Sequence, residues 1–285
     1  MNALTPDPQR SGGVTEAPSA RVPTVLQVML FFVITFALTW VLFLPLVLRV
    51  FSQESDEGRL LLLGAIGGPT ITAFGLAALT AGREGVRRLW RQGTRWRVGA
   101  GWYALVLAGP GLAVGAGLAV AAALGGQAPS VNPWLPAVVA GLLAGILEEF
   151  GWMGFAFPAL QARYGALWAG VAMGVAVALW HLPFFFIPGT TQASSSFVFF
   201  LVLLIALRIL FGWIYNGTGG SVLIMILFHG SWDTWEEILG RGPMVADPYG
   251  LMLAAILWVG AVAVLLVTRQ LRREPLAHNG PVSRG

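Results

Sequence analysis

Long stretches of this chain carry no charged residue, and short polar breaks separate them at the intervals a lipid bilayer imposes. About 20 apolar residues in helical form cross the ~30 Å of hydrocarbon. Residues 25–48 and 60–81 are free of charge, and no charged side chain occurs from 98 to 147. Gly125-Gly126-Gln127-Ala128-Pro129 through Pro133 divides that last stretch, so the pattern predicts a third span before the break and a fourth from there to about 160. Further spans are expected over about 166–187, 197–215, 221–239 and 249–268. The fold class that follows is all-α, a polytopic membrane helix bundle of about eight transmembrane helices. They form a single transmembrane domain over residues 23–270, flanked by tails at 1–22 and 271–285. The first tail, rich in Pro, Gly, Ser and Thr, is expected to be disordered.

Arginine placement orients the bundle. Between the second and third spans lie Arg83, Arg87, Arg88, Arg91, Arg95 and Arg97, which predicts a cytoplasmic loop. Alternation then puts both termini on the same side, together with Arg10, Arg21, Arg163, Arg269, Arg272, Arg273 and Arg284. Trp90 and Trp96 interleave with the Arg residues of that loop, a pattern suited to the headgroup level of an anionic leaflet. The lipid bilayer is therefore one expected partner. All 17 basic residues are Arg, against 13 acidic ones, and only 11% of the chain is charged. A soluble domain carries about a quarter. That shortfall excludes an ordinary cytosolic enzyme, a disordered chain and a nucleic-acid binder, and it points to a multi-pass protein, expected in a bacterial plasma membrane. The absence of Cys excludes disulfides, thiolate nucleophiles and Cys-based zinc sites.

Ionisable residues inside a bilayer cost about 2.5–3.5 kcal/mol each on insertion scales, which makes them functional candidates. Here they are Glu148, Glu149, His181, Arg208, His229 and Asp233, with Glu236 and Glu237 near a helix end. Counted from the cytoplasmic side, Glu148 lies roughly 18 Å deep, His229 roughly 14 Å and His181 roughly 22 Å, a single mid-membrane layer. His229 and Asp233, four residues apart, share a helix face. A lone membrane His or Asp is as readily an interhelical hydrogen-bonding group as a catalytic one. The adjacent Glu148–Glu149 pair differs, because two ionised carboxylates side by side repel. At least one must keep its proton or find a cation. General acid–base chemistry uses such an arrangement, and structure rarely needs it.

Three segments resemble the motifs of the CPBP intramembrane proteases, the family of Rce1-type CAAX prenyl endopeptidases and of the bacteriocin-processing and self-immunity proteins also called Abi. The first runs Glu148-Glu149-Phe-Gly-Trp-Met153-Gly-Phe-Ala-Phe-Pro158-Ala-Leu-Gln161. The second is Trp180-His181-Leu182-Pro183, and the third combines Gly212 to Gly219 with His229-Gly-Ser-Trp-Asp233. The resemblance covers a motif-bearing core of about 134–240. It implies Glu148 as general base, Glu149 as its support and His181 as the partner that helps activate water. It also implies His229 and Asp233 near the developing oxyanion or a metal. Amide hydrolysis needs an activated water, a proton for the leaving nitrogen and oxyanion stabilisation.

Two positions depart from the family pattern. Met153 stands where Glu-Glu-x-x-x-Arg has Arg, and Val177 stands where Phe-x-x-x-His has Phe. Without the Arg, Glu149 must be protonated, bonded to an indole N–H such as that of Trp152 or Trp180, or served by another cation. Arg208 lies inside a span about 12 Å deep, level with Met153, and could either reach into the bundle or snorkel to the headgroups.

The function expected is hydrolysis of a peptide bond in a membrane-associated peptide or protein by Glu/His-activated water. A metal-free pair is one form of it. The other is a metalloprotease-like site in which Glu148, His181, His229 and Asp233 hold zinc. A non-catalytic immunity or scaffold member of the fold and a proton-coupled transporter are the rival classes, the latter disfavoured by the lack of repeats and paired broken helices.

Overall fold

The computed structural model describes residues 23–125, 131–239 and 247–268. Both expected tails, the break at 126–130, and the Arg residues at 10, 21, 241 and beyond 268 lie outside the described residues. Within them the chain is helical, with no strand. In chain order the helices are α1 (Val25–Val47), α2 (Asp56–Ile66), α3 (Gly68–Gly93), α4 (Ala100–Ala123) and α5 (Trp134–Glu149). A π-helical segment, Phe150–Ala156, joins α5 to α6 (Phe157–Trp180). The 3₁₀ turns Leu182–Phe186 and Gln192–Ser194 lead to α7 (Phe197–Gly217), α8 (Val222–Ile238) and α9 (Pro248–Val267).

Local chemistry sets several of these ends. Thr24 and Gln27 form a reciprocal capping box at the start of α1. Asp247 caps α9, its carboxylate accepting from Gly250 N at 2.8 Å, with Pro248 in the first turn. The span expected as one piece over 60–81 is instead two helices bent by 47°, because Gly67-Gly68 precedes Pro69 and proline cannot continue the hydrogen-bond ladder of α2. Gly82, at φ 56°, turns the Arg-rich end of α3 away from its apolar part.

Five helical stretches have the length and hydropathy to cross a membrane, six if α2 and α3 count as one bent span. The longest of them, Trp134–Phe186, is broken by a kink at Gly165, whose φ of 80° favours glycine. The eight spans of the sequence pattern require its two arms to count separately and α8 to be added. Large apolar side chains stay exposed on the outer faces, among them Leu26, Val33, Leu112 and Leu266, as a lipid-facing bundle requires.

Close helix approach builds the centre. A Cβ on Gly145 of α5 would lie 2.7 Å from Ile226 O of α8, and one on Gly141 would strike Gly230 O. Small residues let the two backbones meet where lipid supplies no hydrophobic drive. The same device, at Gly170 and Gly174, seats α6 on Ile205 and Ile209 of α7. Around these contacts Phe31, Trp152, Met153, Phe157, Met173 and Trp180 are fully buried.

Candidate active site

Glu148 and Glu149 end α5, where the π segment begins. Both are buried, at 4% and 0% exposure, and adjacent positions on a helix diverge by about 100°. Each therefore meets a different neighbourhood.

Glu149 faces α7 and α8. Arg208 Nη1 donates to both of its oxygens, at 3.0 and 3.1 Å, and His229 Nδ1 lies 2.7 Å from Oε1. Of the two destinations open to Arg208, the structure has the inward one: its side chain is 4% exposed, with the guanidinium 4.6 Å above the Phe211 ring. The cation absent at Met153, itself buried and apolar, thus stands on α7. A buried ion pair of this kind costs about 3–5 kcal/mol to break, since the survivor keeps its charge without a partner. His229 continues the chain of contacts. Its Nε2 is 3.3 Å from Asp233 Oδ2, one helical turn along α8. A neutral imidazole can donate to only one of these two carboxylates, an imidazolium to both.

Glu148 faces α1 and α6. Its Oε2 accepts from Trp152 Nε1 at 3.0 Å, and among the described residues no Arg forms an ion pair with it. Trp152 packs edge-on against Phe31 and Trp180, with centroids 5.5 and 5.6 Å away. Trp180 in turn donates Nε1–H to Thr39 Oγ1 at 2.9 Å and accepts at its carbonyl from Trp40 Nε1 at 3.3 Å. Glu148 lies within electrostatic range of His229, Glu149, Arg208 and Asp233.

His181 stands at the end of a helix, not inside a helix continuing to 187 as the sequence pattern had it. Helix α6 stops at Trp180, and His181 is its C-cap, because Pro183 follows and cannot extend the ladder. Its Nδ1 sits 2.8 Å from Val177 O. A carbonyl only accepts, so Nδ1 carries the proton, and in the neutral imidazole the lone pair is then on Nε2. The partner is main chain, so Val in place of the motif Phe leaves this bond intact.

His181, Arg208, His229 and Asp233 line one open cavity with Phe200 and Trp232 in its apolar wall. Glu148 was expected to share it and does not line it. It is turned toward Trp152. Trp152 was a candidate donor to Glu149 on the sequence and bonds Glu148 instead. Glu236, passed over as a helix-end residue, does line the cavity. Its signal was present as the third member of the His229–Asp233–Glu236 stripe on one face of α8.

The expected zinc set is not assembled in this geometry. Among the described residues no three His, Asp or Glu side chains are arranged to hold an ion. Both nitrogens of His229 already face carboxylates, which leaves no lone pair directed at the position Glu148 and His181 would share.

The family model of the Rce1-like type II CAAX prenyl endopeptidases matches residues 130–235. A CAAX prenyl protease 2 of Methanococcus maripaludis is 27% identical over 150 residues, 50% of this chain and 54% of that protein. The chain therefore spans about half the length of the curated relative it matches. The matched segment contains Glu148, Glu149, His181, Arg208, His229 and Asp233 together, and over that segment the chain is similar to the Rce1-like CAAX prenyl endopeptidases.

Proposed function

We propose that this protein is an intramembrane endopeptidase in which Glu148 and His181 activate water against a peptide bond of a membrane-associated substrate. The observation that carries the reading is the division of labour between the two adjacent glutamates. Glu149 is engaged by Arg208 and His229, so its charge is committed to holding α5, α7 and α8 together. Glu148 is held by a single indole N–H and has an oxygen to spare. As general base it takes a proton from water; the resulting hydroxide attacks the carbonyl, and the same carboxyl returns the proton to the leaving nitrogen. His181, with Nδ1 anchored, offers Nε2 to orient that water. His229, held on Glu149 through Nδ1, serves the developing oxyanion by turning its Nε2–H from Asp233, 3.3 Å away, to the substrate oxygen. No step is routed through a metal.

Met153 was the strongest ground for a non-catalytic member of the fold. Arg208 meets that objection, because the charge is kept and only its place in the sequence has changed. The relative's name supports a CAAX-type substrate, with cleavage in lipidated-peptide, bacteriocin or immunity processing as more particular forms. The site's position among apolar helices supports an integral membrane setting, of which a bacterial plasma membrane is the more particular form.

The test is a proteomic comparison of cells carrying the wild type, Glu148→Gln and His181→Ala. Each substitution is expected to abolish one processing event, a loss on the order of 10²–10⁴-fold, with protein levels nearly unchanged. The double variant should be hardly worse than either single, since groups acting as a unit lose activity non-additively. Full processing by Glu148→Gln removes the base and the mechanism with it.

A further inference from the structure

The cavity beside the histidines has a polar character that hydrolysis does not use. Arg208 is fixed through Nη1 on Glu149, yet its Nε is a buried donor without a partner. Glu236 is fixed by a hydrogen bond to the Trp232 side chain, yet its Oε1 is a buried acceptor without a partner. Both residues line the same cavity, whose remaining wall includes Phe200, Leu204, Phe211 and Leu257. A buried polar atom left unsatisfied costs about 1–3 kcal/mol, and two on residues of one cavity, of opposite type and each side chain already oriented by another bond, favour a polar ligand there.

Spacing says what would fill it. Arg208 and His229 meet on Glu149, and Glu236 lies seven residues further along α8, about 10 Å at the helical rise. An extended peptide covers that distance in about three residues. The donor end suits a peptide carbonyl. At the other end Glu236 and Asp233, three residues apart on one face, present two carboxyl groups to a cavity whose only fixed cation is committed to Glu149. A cation satisfies that end better than a neutral donor, because buried carboxylates are retained when paired.

We infer that this cavity is a peptide subsite: Arg208 Nε holds a substrate carbonyl near the scissile bond, and Glu236 binds a basic side chain about three residues away, with apolar residues between. The substrate class is therefore an apolar peptide segment carrying one Lys or Arg. This rests on the endopeptidase reading, and the two can fail separately.

The experiment uses full-length protein in detergent micelles and an apolar decapeptide in which a single Lys is moved one position at a time, with norleucine as the uncharged control. Mass spectrometry of the products should show the cleavage site moving with the Lys, at a constant offset of about three residues. Glu236→Gln should raise KM for the Lys peptides about tenfold, leave kcat within twofold, and erase the offset. Binding to the inactive Glu148→Gln protein is measured in parallel. Tenfold tighter binding of Lys than norleucine peptides, lost in Glu148→Gln/Glu236→Gln, would uphold the subsite even if no peptide were cut, and the endopeptidase reading alone would fall. Cleavage at a site indifferent to the Lys, or equal binding of Lys and norleucine peptides, overturns the subsite.

Discussion

Glu148 and Glu149 share a helix turn and a burial depth, yet they belong to two regions built on opposite principles. On the α7–α8 side, charge answers charge: Arg208, Glu149, His229 and Asp233 follow one another within 3.3 Å at every contact. On the α1–α6 side there is no cation, and Glu148 rests on a ladder of indoles that ends at Thr39. The first region is a clamp, because removing any charge strands another in a medium that cannot solvate it. The second is a neutral cradle, whose members hold a carboxyl in place without fixing its protonation state. Identical residues at adjacent positions thus acquire different work from the helices they face. Carboxylates whose environments differ are how one site supplies both a proton carrier and a fixed charge.

Breaking the clamp should have the largest effect. Arg208→Leu leaves Glu149 buried and unpaired, and about 3–5 kcal/mol of stability should be lost, read as thermal unfolding of the micelle-solubilised protein. Glu149→Leu/Arg208→Leu should be more stable than Arg208→Leu alone, since no charge is then stranded. If the double variant is the worse of the two, the pair is not a coupled unit and the contrast between the regions collapses.

Breaking the cradle should cost less in stability and more in function. Trp152→Phe keeps most of the packing on Phe31 and Trp180 but deletes the N–H that orients Glu148. A loss of about 1–3 kcal/mol in stability is expected, with a fall in processing larger than that loss of fold explains. Processing at the wild-type level with Trp152→Phe would mean that the indole does not position Glu148 for the proposed role.

The sequence made much of this legible. Apolar runs marked the helices, since charge-free stretches of this length have few other homes. The depth count put Met153 and Arg208 level, and the contact found between Arg208 and Glu149 follows from that register. Direction was harder to read than depth. The π segment after Glu149 widens the turn, so the phase of side chains beyond it departs from the 3.6-residue repeat. Trp152, four residues from Glu148 and three from Glu149, could serve either by spacing alone and bonds Glu148. His181 was placed within a span because its apolar run continues to residue 187, whereas Pro183 ends the α-helix before it. The 47° bend at Gly67 was hidden for a similar reason: hydropathy continues across Gly67-Gly68-Pro69 while the backbone ladder does not.

Moving the charge back tests the central claim most directly, namely that α7 supplies to Glu149 the cation that position 153 lacks. The measurement is thermal stability and substrate processing of Arg208→Leu with and without Met153→Arg, alongside Met153→Arg alone and Arg208→Lys. Met153→Arg should restore at least half of what Arg208→Leu loses in both readings, and Arg208→Lys should fall between wild type and Arg208→Leu, since it keeps the charge without the guanidinium geometry. Wild-type stability and processing in Arg208→Leu would contradict the account. So would the absence of any rescue when Met153→Arg alone is as stable as the wild type.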